Sequence, residues 1–203
     1  MTNTIRAAAL ALVALLCAGC FPQPPELAPF TGPESDVVVF GDSLTAWARA
    51  ETLPRFTRSV SYNAVGGTQI DHWSAAMANV PPGSTVVVAL GTNDVTNDLM
   101  AQIHLDVDAA LETLRPASCV VWVTVNQFGA LGRGWPYDVR THDLDVYLRQ
   151  LVIDGTYPNL VLSEWSIAAN GHGEYLVDDG VHHTDAGNLA YATQLAAAPE
   201  LCP

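Results

Sequence analysis

The chain contains no lysine. Its 8 basic residues are all arginines and face 21 aspartates and glutamates, for a formal charge of -13. That balance excludes the broad basic surface that nucleic acid or an anionic bilayer selects. Long apolar runs are scarce too: Ala7 to Leu16 falls well short of the ~20 residues that span a bilayer as a helix. There is no His-Glu-x-x-His pattern of the kind that seats zinc on one helix face, and no internal repeat. What remains is a chain of 203 residues, 49% hydrophobic, enough to bury one sizeable core.

The first 19 residues place Arg6 before the apolar run and end in small residues, as a secretory signal does. Cys17-Ala18-Gly19-Cys20 resembles a bacterial lipobox, which makes Cys20 a lipidated mature N-terminus; a signal cut elsewhere, giving a freely secreted protein, is the alternative. Cleavage before Cys20 removes one arginine and no acid, so 7 minus 21 leaves -14. Residues 20–35 are proline-rich and read as an extended tether. The domain then runs over 36–203. With Cys17 removed and Cys20 lipidated, Cys119 and Cys202 remain as a pair, expected as a disulfide at the end of the sheet away from the site, with two buried free thiols as the alternative, which an oxidising compartment disfavours.

Short valine-rich segments at Asp36 to Phe40, Val60 to Asn63, Thr85 to Leu90, Cys119 to Val125 and Leu160 to Leu162 read as strands. Most lack polar alternation, the mark of strands covered on both faces. Helical patterns near Leu44 to Leu53, Ile70 to Asn79, Asp98 to Leu114, Val139 to Asp154 and Thr184 to Ala198 alternate with them. The expected fold is a three-layer α/β/α sandwich.

Four motifs follow strand ends in order: Gly41-Asp42-Ser43-Leu44, Asn63-Ala64-Val65-Gly66-Gly67, Gly91-Thr92-Asn93-Asp94 and Asp179-Gly180-Val181-His182. In open α/β sheets ligands sit at the carboxyl ends of the strands. A serine hydroxyl becomes a nucleophile when a base takes its proton and a third group holds the base. Ser43, His182 and Asp179 supply these types, with Asp178 an alternative to Asp179. The Ser43 backbone N–H, the Gly67 backbone N–H and the Asn93 amide are candidate oxyanion donors, and the adjacent Gly66 offers a second glycine amide. Taken singly, Ser43 is equally a helix cap and Asn93 a turn former.

Together the motifs resemble the blocks of the GDSL or SGNH hydrolase family, whose signature residues are serine, glycine, asparagine and histidine. Val65-Gly66-Gly67-Thr68 matches the second block. The resemblance covers Asp36 to about Ala198. It implies a flavodoxin-like sandwich with a five-stranded parallel sheet, acyl-serine chemistry, and no metal or organic cofactor. His183 stands where the family often has Pro or Leu. The ending Asp178 to His182 with Thr184 and Gly187 also resembles SGNH domains of cell-wall O-acetyltransferases.

These observations carry three functional expectations. One is an exported monomeric ester hydrolase for short acyl groups, including O-acetyl groups on carbohydrate, touching membrane only through a lipid anchor. Another is an O-acyltransferase with the same site, and the third a surface binding protein on a hydrolase fold. His172, His182, His183 and Asp185 offer an alternative metal-ligand set. The glycine-rich loop from Asn126 to Tyr137 brings Arg133 and Trp135 to the same sheet edge, as candidate contacts for an anionic or sugar substituent.

Overall fold

The computed structural model describes residues 35–126 and 137–203. The signal segment, Cys20, nearly all of the tether, and Arg133 and Trp135 lie outside the described residues.

Five strands form one sheet: β1 (Val37–Gly41), β2 (Val60–Ala64), β3 (Thr85–Ala89), β4 (Cys119–Val123) and β5 (Leu160–Ser163). All neighbours pair parallel, in the order β2-β1-β3-β4-β5. The helices are α1 (Ser43–Trp47), α2 (Arg49–Thr52), α3 (Ser74–Met77), α4 (Thr92–Asn97), α5 (Met100–Thr113), α6 (Tyr137–Asp154), α7 (Trp165–Ala168) and α8 (Asp185–Ala197).

Because successive strand side chains point to opposite faces, each valine run splits between two cores. Val38, Phe40, Val86, Val88, Val120 and Trp122 join one cluster with Ile103, Val107, Leu144 and Leu148, from α5 and α6. Val37, Val39, Val87, Val121 and Val123 join the other with Leu44, Trp165, Tyr191 and Leu195, from α1, α7 and α8. Both faces are covered, which is why the strands carry no polar alternation. Ile103, Val107, Ala110 and Leu111 are the buried residues of α5, at the i, i+4, i+7, i+8 spacing of one helix face.

The strand order reverses beside β1. The chain leaves β1 for β2 on one side, then crosses to β3 on the other, so the connections after β1 and β3 part in opposite directions and open a crevice. Three expectations are corrected in detail. Gly91-Thr92-Asn93-Asp94 does more than turn, since Thr92–Asn97 is helical. The stretch after β5 holds the short α7, and the segment expected as one helix from Leu44 to Leu53 is interrupted at Ala48.

Cys119, at the start of β4, is disulfide-bonded to Cys202, 83 residues later. Closing such a loop is worth about 4 to 5 kcal/mol as an upper figure in the chain-entropy model.

Three aspartates are buried among the described residues. Burial pushes Asp42 up to about 6 and Asp94 and Asp145 each up to about 7, against hydrogen bonds from Leu44, Ile70 and Val125 N–H groups that pull the other way. The unfolded chain titrates these groups near 3.8, so between about pH 4 and pH 7 the folded state holds more protons and stability falls as pH rises. Asp94→Asn keeps an oxygen to accept from Ile70 and removes one such charge. It is expected to flatten the decline and raise Tm at pH 8 by at least about 2 °C, the effect of 1 kcal/mol in a domain of this size; calorimetry between pH 4 and 8 checks this.

Candidate active site

Three loops at the carboxyl ends of β1, β2 and β3 are laced together before any reactive group is considered. The Gly41 carbonyl accepts from Val65 N–H at 3.1 Å and from the Thr68 hydroxyl at 3.3 Å. Asn93 Nδ2 donates to the Thr68 carbonyl at 2.9 Å, and Ile70 N–H donates to Asp94 Oδ1 at 3.0 Å. Thr68 and Asp94 are both fully buried, where an unmade hydrogen bond is costly, so the second loop is fixed to its neighbours on both sides. A Cβ on Gly41 would lie 2.3 Å from the Thr45 Cβ, which is why the first loop can turn tightly into α1.

Ser43 opens α1, and Asp42 caps it: Asp42 Oδ1 accepts from Leu44 N–H at 2.9 Å. The capping carboxylate, on the residue before Ser43, is buried. Gly66 and Gly67 are exposed beside it; Gly67 has φ +77, a left-handed conformation that favours glycine, and a Cβ on Gly66 would stand 3.7 Å from Ser43 Cβ.

The fourth motif arrives on the segment between α7 and α8. Asp179 Oδ1 accepts from the Val181 and His182 N–H groups at 2.8 and 2.9 Å, and its Oδ2 lies 2.7 Å from His182 Nδ1. Gly180, at φ +70, lets the turn close. A carboxylate at Nδ1 demands a proton there, which leaves Nε2 to accept from Ser43 Oγ, 3.0 Å away. Burial raises the Asp179 carboxyl, but the hydrogen bonds from His182 and the two N–H groups outweigh it and pull it down to about 2. It is ionised wherever the protein is folded in ordinary buffer.

His183 is different. It is buried and packed edge-on to Trp165, with ring centroids 5.4 Å apart, and against Tyr191 at 5.0 Å. Burial first, then the charge of His182, pushes it down to about 4, so it stays neutral and serves packing. Asp179 holds His182 through two bonds, one from its backbone N–H and one at Nδ1, and bonds Val181 N–H besides; no such bond joins Asp178 to His182. Two contacts were not anticipated from sequence: the Asp42 cap on Leu44 N–H, and the Trp47 indole stacked on His182 with centroids 4.3 Å apart. The spacing of Trp47, four residues after Ser43 on one helix, was the available signal.

His172, His182, His183 and Asp185 do not form a ligand set among the described residues. There, carboxylate oxygens of Asp94, Asp98 and Asp106 gather within 4.8 Å of one another, on the far side of Asn93 from Ser43 in sequence. A groove of about 980 Å³ lined by Asp36, Ser84, Cys119 and Cys202 lies at the amino-terminal ends of the strands, opposite the four motifs. A smaller cleft, about 280 Å³, is lined by Asn126, Asn170, His172 and Leu176, and Leu176 is bridged to His183.

No family model matches the chain. Over 119 residues, 56% of its length, it is 28% identical to the peptidoglycan O-acetyltransferase of Listeria monocytogenes, of which it spans only 15%. Among solved structures, the C-terminal catalytic domain of Streptococcus pneumoniae peptidoglycan O-acetyltransferase A superposes with a TM-score of 0.68 at 21% identity, covering 84% of this chain and 96% of that one. A member of the lipolytic G-D-S-L family from Veillonella parvula gives 0.63 at 15% identity, over 78% and 94%. A catalytic mutant of an acetylxylan esterase from Geobacillus stearothermophilus gives 0.59 at 16%, over 83% and 95%. The fold is the one these GDSL and SGNH-type esterase and acyltransferase structures share.

The position of His182 depends on Gly187. A Cβ there would lie 2.1 Å from the Tyr175 carbonyl oxygen, which accepts from Thr184 N–H at 2.9 Å, and 3.0 Å from His183 Cβ. Gly187→Ala is expected to force the 175–184 segment off α8 and to cost about 1–3 kcal/mol, seen as a fall of several degrees in thermal denaturation.

Proposed function

We propose that the chain is an exported serine ester hydrolase acting on short acyl esters, O-acetyl groups on carbohydrate among them, through an acyl-serine intermediate. The observation that carries this reading is the relay from Ser43 Oγ to His182 Nε2 at 3.0 Å and from Nδ1 to Asp179 at 2.7 Å, at the crevice where strand order reverses.

In this reading Ser43 Oγ attacks the acyl carbon as its proton passes to His182 Nε2. Asp179 keeps the ring in the required tautomer and stabilises the imidazolium. The carbonyl oxygen gains the negative charge and is held by the Ser43 and Gly67 backbone N–H groups and the Asn93 amide; Nδ2 has a second hydrogen besides the one given to Thr68. One such donor is worth about 2.7–4 kcal/mol of barrier. The oxyanion collapses, the carbon–oxygen bond to the alcohol breaks, and His182 returns the proton to that alcohol. Water, deprotonated by His182, then releases the acyl group.

The exposure of Gly66, Gly67 and Asp179 supports a shallow site suited to short acyl groups and a bulky alcohol. The apolar leader, the lipobox-like Cys20 and the Cys119–Cys202 disulfide support export with a lipid anchor, and the acidic surface supports a monomer that ignores nucleic acid. Arg133 and Trp135 are proposed contacts for the alcohol portion. No metal or organic cofactor takes part.

A second reading has its own support. The similarity to peptidoglycan O-acetyltransferases in both sequence and fold favours transfer of the acyl group to a glycan hydroxyl, which beats hydrolysis when the acceptor is held in place of water. Hydrolysis of a p-nitrophenyl ester series from acetate to long chain is expected to favour acetate and to fall about 10⁴-fold or more in Ser43→Ala. Unchanged activity in that variant overturns the assignment of Ser43, and acetylated glycan among the products, with free acetate suppressed, selects transfer. Asp179→Asn is expected to lower kcat by about 10⁴-fold through the wrong tautomer, with the fold intact by circular dichroism.

A further inference from the structure

Helix α1 delivers two groups to one ring. Ser43, its first residue, meets His182 Nε2, and Trp47, its last, lays its indole on the imidazole face with planes inclined by 25° and centroids 4.3 Å apart. Residues at i and i+4 share a helix face, so the stack follows from the same turn that presents the hydroxyl.

Core packing does not account for this tryptophan. Leu44 and Thr45 are the buried residues of α1, while Trp47 stays 56% exposed. An aromatic residue that size gains most by going inside.

His182 has a need that this indole meets. Its ring rides on an exposed segment and is held by two in-plane bonds, one at Nδ1 and one at Nε2. Hydrogen bonds to the two ring nitrogens fix the ring within its plane but resist small tilts about the Cβ–Cγ bond only weakly. A flat partner against the face opposes those tilts.

We propose that Trp47 is a positioning residue for His182, its indole locking the imidazole plane so that Nε2 stays aligned with Ser43 Oγ. This rests on the reading of Ser43, His182 and Asp179 as an acyl-transfer site. The indole face also favours the cation that His182 becomes during attack. The charged and titratable groups that face His182 besides the indole are Asp179 on its own turn, the buried Asp42 that caps α1, and the adjacent His183, which stays neutral.

The test combines turnover with emission. On p-nitrophenyl acetate, Trp47→Ala is expected to lower kcat about tenfold with KM changed less than about twofold, and Trp47→Phe to recover most of the loss. Because an imidazole stacked on an indole quenches it, His182→Asn is expected to brighten tryptophan emission in the wild-type background and not in Trp47→Phe. An unmoved kcat, an effect confined to KM, or brightening that persists in Trp47→Phe overturns the role of Trp47 while leaving the hydrolase reading intact. A wild-type protein that turns over no ester and does not react at Ser43 with a serine-directed phosphonate overturns the hydrolase reading and the role of Trp47 with it. Trp47→Phe keeps an aromatic ring on α1, so the emission comparison holds even if Trp47→Ala fails to fold.

Discussion

β1 is hydrogen-bonded along both edges, to β2 on one side and β3 on the other, all running the same way, and everything functional in the domain hangs from that arrangement. Parallel strands cannot be joined by tight hairpins. Each must be followed by a connection that climbs over a face of the sheet and returns, so every chain segment that leaves a strand does so at the same edge. With β1 in the middle, the exits of three strands are neighbours. The hydroxyl, the two glycines and the asparagine amide converge because three separate pieces of chain have nowhere else to turn.

Rigidity is then added by the backbone-to-side-chain lacing through Thr68 and Asp94, and His182, the proposed base, is brought in from a fourth segment seated through His183 against Trp165 of α7 and Tyr191 of α8. The site thus combines a stiff half built on the sheet with a half suspended between α7 and α8. The stiff half holds Ser43 and the groups proposed as oxyanion donors. The suspended half is organised locally, by one carboxylate that bonds two amides and the ring at once. An aspartate serving three donors shapes the turn and orients the ring in a single act.

Much of this was readable before the fold. Valine runs without alternation gave the strands and their double coverage, since burial on both faces is the one environment that tolerates them. The three-residue step from Asp179 to His182 carried the turn. What escaped were features decided by tertiary packing. Thr92–Asn97 opens with Gly-Thr-Asn-Asp, a turn by local propensity, and is helical because it docks on α6 and lets Asp94 reach Ile70. The α7 segment is four residues long, too short for any periodicity to register. Trp47 carried no motif, and its meaning came only from what lies across from it.

The disulfide draws a covalent ring around α6, β5, the His182 segment and α8, because Cys119 precedes all of them and Cys202 follows. A protease that cuts once inside that ring, for instance at the exposed Asp178–Asp179 turn, opens the ring without releasing a fragment. The piece bearing His182 stays attached to the sheet through the bond from Cys202 to Cys119 of β4. For a protein read as working outside the cell, among enzymes that cleave exposed loops, the crosslink turns a lethal scission into a nick.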